Sequence, residues 1–524
     1  MITLFFISVL CFSVSFSSAL QLLPATNAAA APATTTPSSP SPSSPSSNSS
    51  TSSQNLAAEM KRIESSNSPV DIATFAYVWG YPLISNLRTI DESTDPSNYN
   101  KSEANGPWNE FHYRTQLANA SVTQIVAPNV DTLYSNLYYD LEKQPLVISV
   151  PNGINRYFSL QFIDSYTNNF HYIGTRTTGT KGGTYLLTGP NWNGTVPASM
   201  IQIKSPTNFG LVFGRTLING PDDLQKTIDV QQSIKAAPID VYEKDNKTST
   251  SSSSSSANNL IEDPIAFYNR SLSGLPRYIP TTGVQLFNEL AYYIGKNMPP
   301  ANESKILKFA AIGVVPNADI SNKSAIRFNE TISNAMLQGI SNGEKLIDSK
   351  FKAFGRIVNG WNIDTSNIGQ WAGDYLFRAA IAKYGLWGNS PHEAVYPTTA
   401  IDSDGKPLTG LNSYVIHFEK GQLPPVNKGG FWSITVYNKD RLLHDNPINR
   451  YVINDRTPGI HYNSSSDGSL DIYLQNQKPT DPQKQANWLP IPNGPFSMQM
   501  RIYIPAQAVL DGQWSPPPVR LVSK

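Results

Sequence analysis

A chain of 524 residues with 40 Lys+Arg against 39 Asp+Glu, and only 15% charged residues, has no electrostatic footprint for a polyanion, so nucleic acid is excluded as a partner class. Its one cysteine, Cys11, rules out an intramolecular disulfide and any thiolate-built metal site. The 40 prolines and 25 tyrosines, among many Ser, Thr and Asn, suit a loop-rich β protein that hydrogen-bonds through neutral groups.

In chain order, residues 1–23 are an uncharged apolar run, "MITLFFISVLCFSVSFSSALQLL", that reads as an export signal or an N-terminal membrane anchor. Residues 24–57, rich in Ser, Thr and Pro, cannot bury enough apolar surface to offset ordering entropy and predict a disordered stalk. Residues 58–245 read as a β-rich domain. It is entered by a helix whose apolar positions Ile72, Phe75, Ala76 and Trp79 are expected to stop at Gly80 and Pro82. Strand-like runs follow, "TLYSNLYYDL", "VISVP", "RYFSLQFID", "GTYLLTGP" and "GLVFGRTLI", punctuated by Asn-Gly turns. "DDLQKTIDVQQSI" closes that domain as a short helix.

Residues 246–261 form a second Ser-rich tract read as a disordered loop. Residues 262–389 carry apolar side chains at three- and four-residue spacing and predict a helical connecting segment. Residues 390–524 alternate again, in "SYVIHFEK", "FWSITVYNK", "LDIYLQN" and "FSMQMRIYIP", and predict a C-terminal β-sandwich. The fold class expected is mainly β with a helical middle segment: two antiparallel sandwich or jelly-roll-like domains joined by helices.

"VAPNVDTLYSNLYYDLEKQPLVISVP" and "RYFSLQFIDSYTNNFHYIGTRTTG" resemble the family called domain of unknown function 1254, over about 70 to 235. "GFWSITVYNKD", "NPINRYVIND", "NWLPIPNGPF" and "RIYIP" resemble its companion, domain of unknown function 1214. The resemblance implies a β-rich N-terminal domain, a helical connection and a C-terminal sandwich, in proteins often exported. It implies no activity and supplies no catalytic residues.

The densest polar cluster is "FIDSYTNNFHYIGTR", which leaves the C-terminal end of a strand whose Phe158, Leu160 and Phe162 point to one face. If that strand pairs with the one after "PNVDTLYS", Asp131 and Asp164 meet in one pocket and can divide acid and base roles. Asn129, Tyr134, Tyr166, Asn168, Asn169 and Arg176 are then the ligand-binding candidates. The competing reading is structural: Asp and Asn at strand ends make Asx-turns, and buried tyrosines tie loops down.

The six histidines are scattered, with no close pair, so no metal and no cofactor are expected. "GTRTTGTKGG" misplaces the lysine of a phosphate loop, and "DSDG" lacks the remaining oxygens of a calcium loop. Trp432, Trp488 and Trp514 read as sandwich anchors before sugar platforms.

Two functions fit. One is an exported or cell-surface hydrolase or lyase acting on a polar polymer through a carboxylate pocket. The other is a non-catalytic surface protein that binds a glycan or partner. The expected partner is a small molecule or polysaccharide, with a membrane touched only through the N-terminal segment.

Overall fold

Residues whose side chains alternate between two faces form the N-terminal sheet, because successive side chains of a strand point to opposite sides. Its five antiparallel strands lie in the order Phe111–Tyr113, Thr132–Asp140, Phe209–Leu217, Phe158–Asp164, Asn169–Gly174. A second sheet has the order Ile201–Lys204, Gly183–Thr188, Leu146–Val150, Lys235–Pro238, and its first two strands run parallel. Leu137, Leu160 and Phe162 of the first sheet and Leu146, Ile148 and Leu187 of the second share one core. The computed structural model describes residues 47–99, 104–123, 126–249, 282–299, 303–316, 328–463 and 468–522.

The opposite face of the first sheet carries Tyr138, Ile163 and Leu211, which join a helical core. Its axis is the helix Pro69–Ser93, surrounded by Gln285–Lys296, Glu330–Lys352 and Tyr375–Tyr384. The sequence places the end of that first helix at Gly80 and Pro82, yet the helix runs through both. Leu83, Ile84, Leu87 and Ile90 continue the buried stripe, and that burial outweighs the one backbone bond a proline forfeits. Gly80 is needed here for closeness: a Cβ would sit 2.6 Å from Leu290 Cδ1.

The helix Ser47–Ser65 includes residues 47–57, which the sequence assigns to the stalk. Leu56, Met60 and Ile63 dock it on the helical core, so its end nearer the body is packed. Residues 1–46, with the export segment, lie outside the described residues, as does most of the second Ser-rich tract.

The C-terminal half has two more sheets. One holds the strands Arg356–Val358, Trp361–Ile363, Thr398–Thr399, Phe496–Pro505, Val426–Asn438 and Val452–Asn454, with Ala394–Val395 also paired to Phe496–Pro505. The other runs Trp488–Pro490, Leu470–Gln475, Tyr414–Phe418, Val519–Leu521. Ile434, Met500 and Ile502 meet Ile416, Ile472 and Leu474 in their common core. The hairpin from Arg356 to Ile363 belongs to this sheet, although it lies in the stretch read as helical connector. Trp432, Trp488 and Trp514 are buried, with the indoles of the last two bonded to the Gln475 and Gln422 carbonyls. The chain is mainly β, with helices in its middle.

Candidate functional site

Asp164 ends its strand and builds the loop that follows. Its carboxylate accepts the backbone N–H groups of Tyr166 and Asn168, each at 2.9 Å, and the Asn168 side-chain amide at 2.8 Å. Thr167 takes φ of +65°, and the Tyr166 hydroxyl donates to the Asn297 carbonyl. Burial raises the Asp164 carboxyl to about 6, with the bonds from Asn168 and Tyr166 opposing that shift. Tyr166 and Asn168 therefore serve the loop through this carboxylate, as an Asx-turn requires.

Asp131 sits at the other end of the sheet. Its Oδ2 accepts from Ser433 Oγ at 2.6 Å, and its Oδ1 accepts from Asn454 Nδ2 at 3.3 Å and faces Arg456 at 3.5 Å. Asn129 accepts the Asp131 backbone N–H at 2.6 Å and donates to Tyr503 OH at 2.8 Å. This group joins the N-terminal sheet to the C-terminal one.

The expectation of one pocket holding both carboxylates does not survive the strand order. The strand Phe209–Leu217 lies between the two that carry them and is antiparallel to each, so those two run parallel. Asp131 precedes one strand and Asp164 ends the other, which puts them at opposite ends. Asp131 O accepts from Ile218 N while Asp164 pairs with Gly210, so about 26 Å of strand separates them, against the roughly 5–9.5 Å of a glycosidase pair. Tyr134, partly buried with its ring 4.9 Å from Phe213, makes no hydrogen bond to either carboxylate.

Two of the named residues do share an open cavity. Asn169 and Arg176, with His171, line a cleft of about 120 Å³ along the sheet's edge strand, opposite Asn367, Gln370 and Ser390. Arg176 Nε donates to Glu393 Oε2 at 2.6 Å, and its guanidinium lies over the Tyr172 ring at 5.0 Å. Asn169 accepts from Gln161 Nε2 at 2.8 Å and donates to the Gly388 carbonyl at 3.0 Å. The edge strand docks here because Asn169 N bonds to the Gly369 carbonyl at 2.8 Å, and Gly369, at φ +81°, has no room for a Cβ beside the Asn169 amide. Burial lowers the His171 imidazole below its ordinary value, which keeps it neutral at pH 7.

A larger cavity of about 490 Å³ adjoins the first: Asn367 and Gln370 line both. Lys350, Phe354, Arg356, Asp364 and Trp371 are among its walls. Sequence reasoning missed the second wall of the cleft. Its signal was "GNSPHE", a polar run at the end of a helical stretch, whose Ser390 and His392 line the cleft and whose Glu393 holds Arg176. Among the described residues, no group of three or more His, Cys, Asp and Glu is arranged to hold a metal ion.

Residues 108–238 match the family model described as protein of unknown function DUF1254, and residues 393–507 match the one described as protein of unknown function DUF1214. No curated protein matches the sequence. Among solved structures, the VPA0106 protein from Vibrio parahaemolyticus is 23% identical with a TM-score of 0.63, over 87% of this chain and 100% of its own, so the two share a fold. An uncharacterized protein from Burkholderia cenocepacia is 13% identical, with a TM-score of 0.39, over 91% of this chain and 95% of its own.

Proposed function

We propose that this is an exported binding protein that holds a polar, hydroxyl-rich polymer along the edge of its N-terminal sheet. The observation that carries the reading is the pair of adjoining cavities, of about 120 and 490 Å³, which meet at polar side chains. Their shared wall offers neutral amides, Asn367 and Gln370, and the smaller one adds a neutral His171 and the Arg176 guanidinium, with Asn169 held in its wall by Gln161, Gly388 and Ser390. Such groups donate to and accept from hydroxyl oxygens without needing a charged ligand. Binding is favoured over hydrolysis or lysis because the two carboxylates once cast as acid and base are committed to a loop and to a domain contact.

Export rests on the apolar run at 1–23 and the Ser/Thr/Pro-rich stretch after it. Among the described residues, no helix is long and apolar enough to cross a membrane. Affinity electrophoresis of the full chain through gels containing dextran or polygalacturonate tests the binding reading. Retardation by either polymer, relieved by His171→Ala and by Gln370→Ala in proteins that melt as the wild type does, supports it. Unretarded migration through both gels, or retardation that these variants leave unchanged, contradicts it. Protease treatment of intact expressing cells tests export, and full protection alongside a cytoplasmic marker contradicts it.

A further inference from the structure

A row of charge crosses the other face of the first sheet. Strand register sets Tyr134 opposite Arg215 and Arg215 opposite Ser159. Arg114 donates its backbone N–H to the Tyr134 carbonyl at 2.9 Å, which places it opposite Tyr134 on the far flank. Directly opposed residues of antiparallel strands share a face, so the two arginines flank Tyr134 with Cα atoms about 10 Å apart. The C-terminal sheet adds Arg501: it and Arg215 both lie within electrostatic reach of the Tyr396 and Tyr503 hydroxyls.

Arg114, Arg215 and Arg501 are only 8%, 6% and 3% exposed. None forms an ion pair with a carboxylate among the described residues. Arg215 donates to Gln161 Oε1 at 2.6 Å, Asn389 Oδ1 at 3.1 Å and the Trp387 carbonyl at 3.2 Å, all neutral acceptors. Arg501 donates to Thr435 Oγ1 at 3.0 Å and to Tyr437 OH at 2.8 Å, again neutral. Arg114 makes no side-chain hydrogen bond among the described residues, and its guanidinium nitrogens are not enclosed, so they face the opening of the row. Of the nearby carboxylates, Asp131 bonds Ser433, Asn454 and Arg456 and also lies within electrostatic reach of Arg501, while Glu393 is held by Arg176 and Tyr157, which leaves Arg114 and Arg215 as the pair with no carboxylate partner among the described residues.

A largely enclosed cation without a counter-charge is costly, and two in one row, Arg114 and Arg215, also repel one another. An oxyanion would complete such an arrangement, since guanidinium forks match carboxylate and phosphate oxygens. Tyr134, between Arg114 and Arg215, is only partly buried, so the row has an opening. We infer that the row Arg114, Tyr134 and Arg215 is an oxyanion site that takes a small carboxylate or phosphate between the two domains. None of these three residues lines either cavity of the edge cleft, so this site stands apart from polymer binding.

The test uses the full chain, melted in sodium chloride, in succinate and in inorganic phosphate at one ionic strength, with dissociation constants from calorimetry. The site predicts a rise in melting temperature in succinate, in phosphate or in both over chloride, and the responding anion identifies the chemistry. It also predicts at least tenfold weaker binding in Arg114→Gln, a variant that loses no protein hydrogen bond and melts no lower than the wild type in chloride. Equal melting in all three salts would overturn the inference. So would an unchanged affinity in Arg114→Gln, or a large drop in its melting temperature in chloride, which would make the guanidinium a structural brace.

Discussion

Two ends of one sheet hold two buried carboxylates in contrasting ways. Asp164 is satisfied within four residues of itself, by Tyr166 and Asn168. Asp131 is satisfied across the molecule, by Ser433, Asn454 and Arg456, each more than 300 positions away. The first carboxylate shapes a loop and the second clamps the N-terminal sheet to the C-terminal one. A buried acid in a polar cluster is thus a site candidate only once its own hydrogen-bond demand is counted. At both ends that demand is met by the protein, whereas the edge strand beside that of Asp164 opens onto a cavity.

The contrast predicts unequal costs. Asp131→Ala should lose about 3–5 kcal/mol, because it strands a buried hydroxyl, an amide and the Arg456 guanidinium at the domain contact. Urea unfolding measures it, and two separated transitions in place of one would show the domains parting. A loss below about 1 kcal/mol would mean the clamp is not a clamp.

Arg176→Gln should cost about 2–3 kcal/mol, since Glu393, 1% exposed, keeps only the Tyr157 hydroxyl and a weaker neutral donor. Part of the pair is exposed, so the loss falls short of that for a fully enclosed one. The same unfolding measurement checks it, and Glu393→Gln should fall in the same range.

Asp164→Asn gives the smallest effect, with the opposite sign at neutral pH. A carboxyl held at about 6 when folded, against an ordinary value of 3.8, takes up its proton on folding between those values. Its contribution is therefore favourable below about pH 4 and is lost as pH rises through about 6. Asparagine keeps the acceptor for the Tyr166 and Asn168 N–H groups, and the Asn168 amide must turn to receive the new donor. The variant should match the wild type at pH 4 and exceed it by about 1–2 kcal/mol at pH 7, within the roughly 3 kcal/mol that two pKa units allow. Denaturant midpoints across that range check the slope, and a variant less stable at pH 7 would reverse the assignment of burial as the dominant cause.

The alternation of Phe158, Leu160 and Phe162 made the strand and its buried face legible, and the Asx-turn at Asp164 was legible from the residue types. The relation of Asp131 to Asp164 was not. Period-two alternation gives faces, but strand order decides which ends meet, and the strand Phe209–Leu217, some 45 residues further on, sets that order. The helix through Pro82 was hidden for a similar reason. Local propensity argued for a stop, and tertiary burial against Leu290 and its neighbours overrode it. The second wall of the cleft comes from residues about 200 positions beyond the first, a closeness that no local pattern encodes.

Affinity of the full chain for dextran and polygalacturonate oligomers, measured side by side for the wild type, Asp164→Asn and His171→Ala, tests the central contrast most directly. Asp164→Asn is expected to bind within twofold of the wild type, while His171→Ala binds at least tenfold more weakly with its melting temperature preserved. Binding that collapses in a stable Asp164→Asn and survives in His171→Ala would contradict it, returning the site to the carboxylate at the strand end.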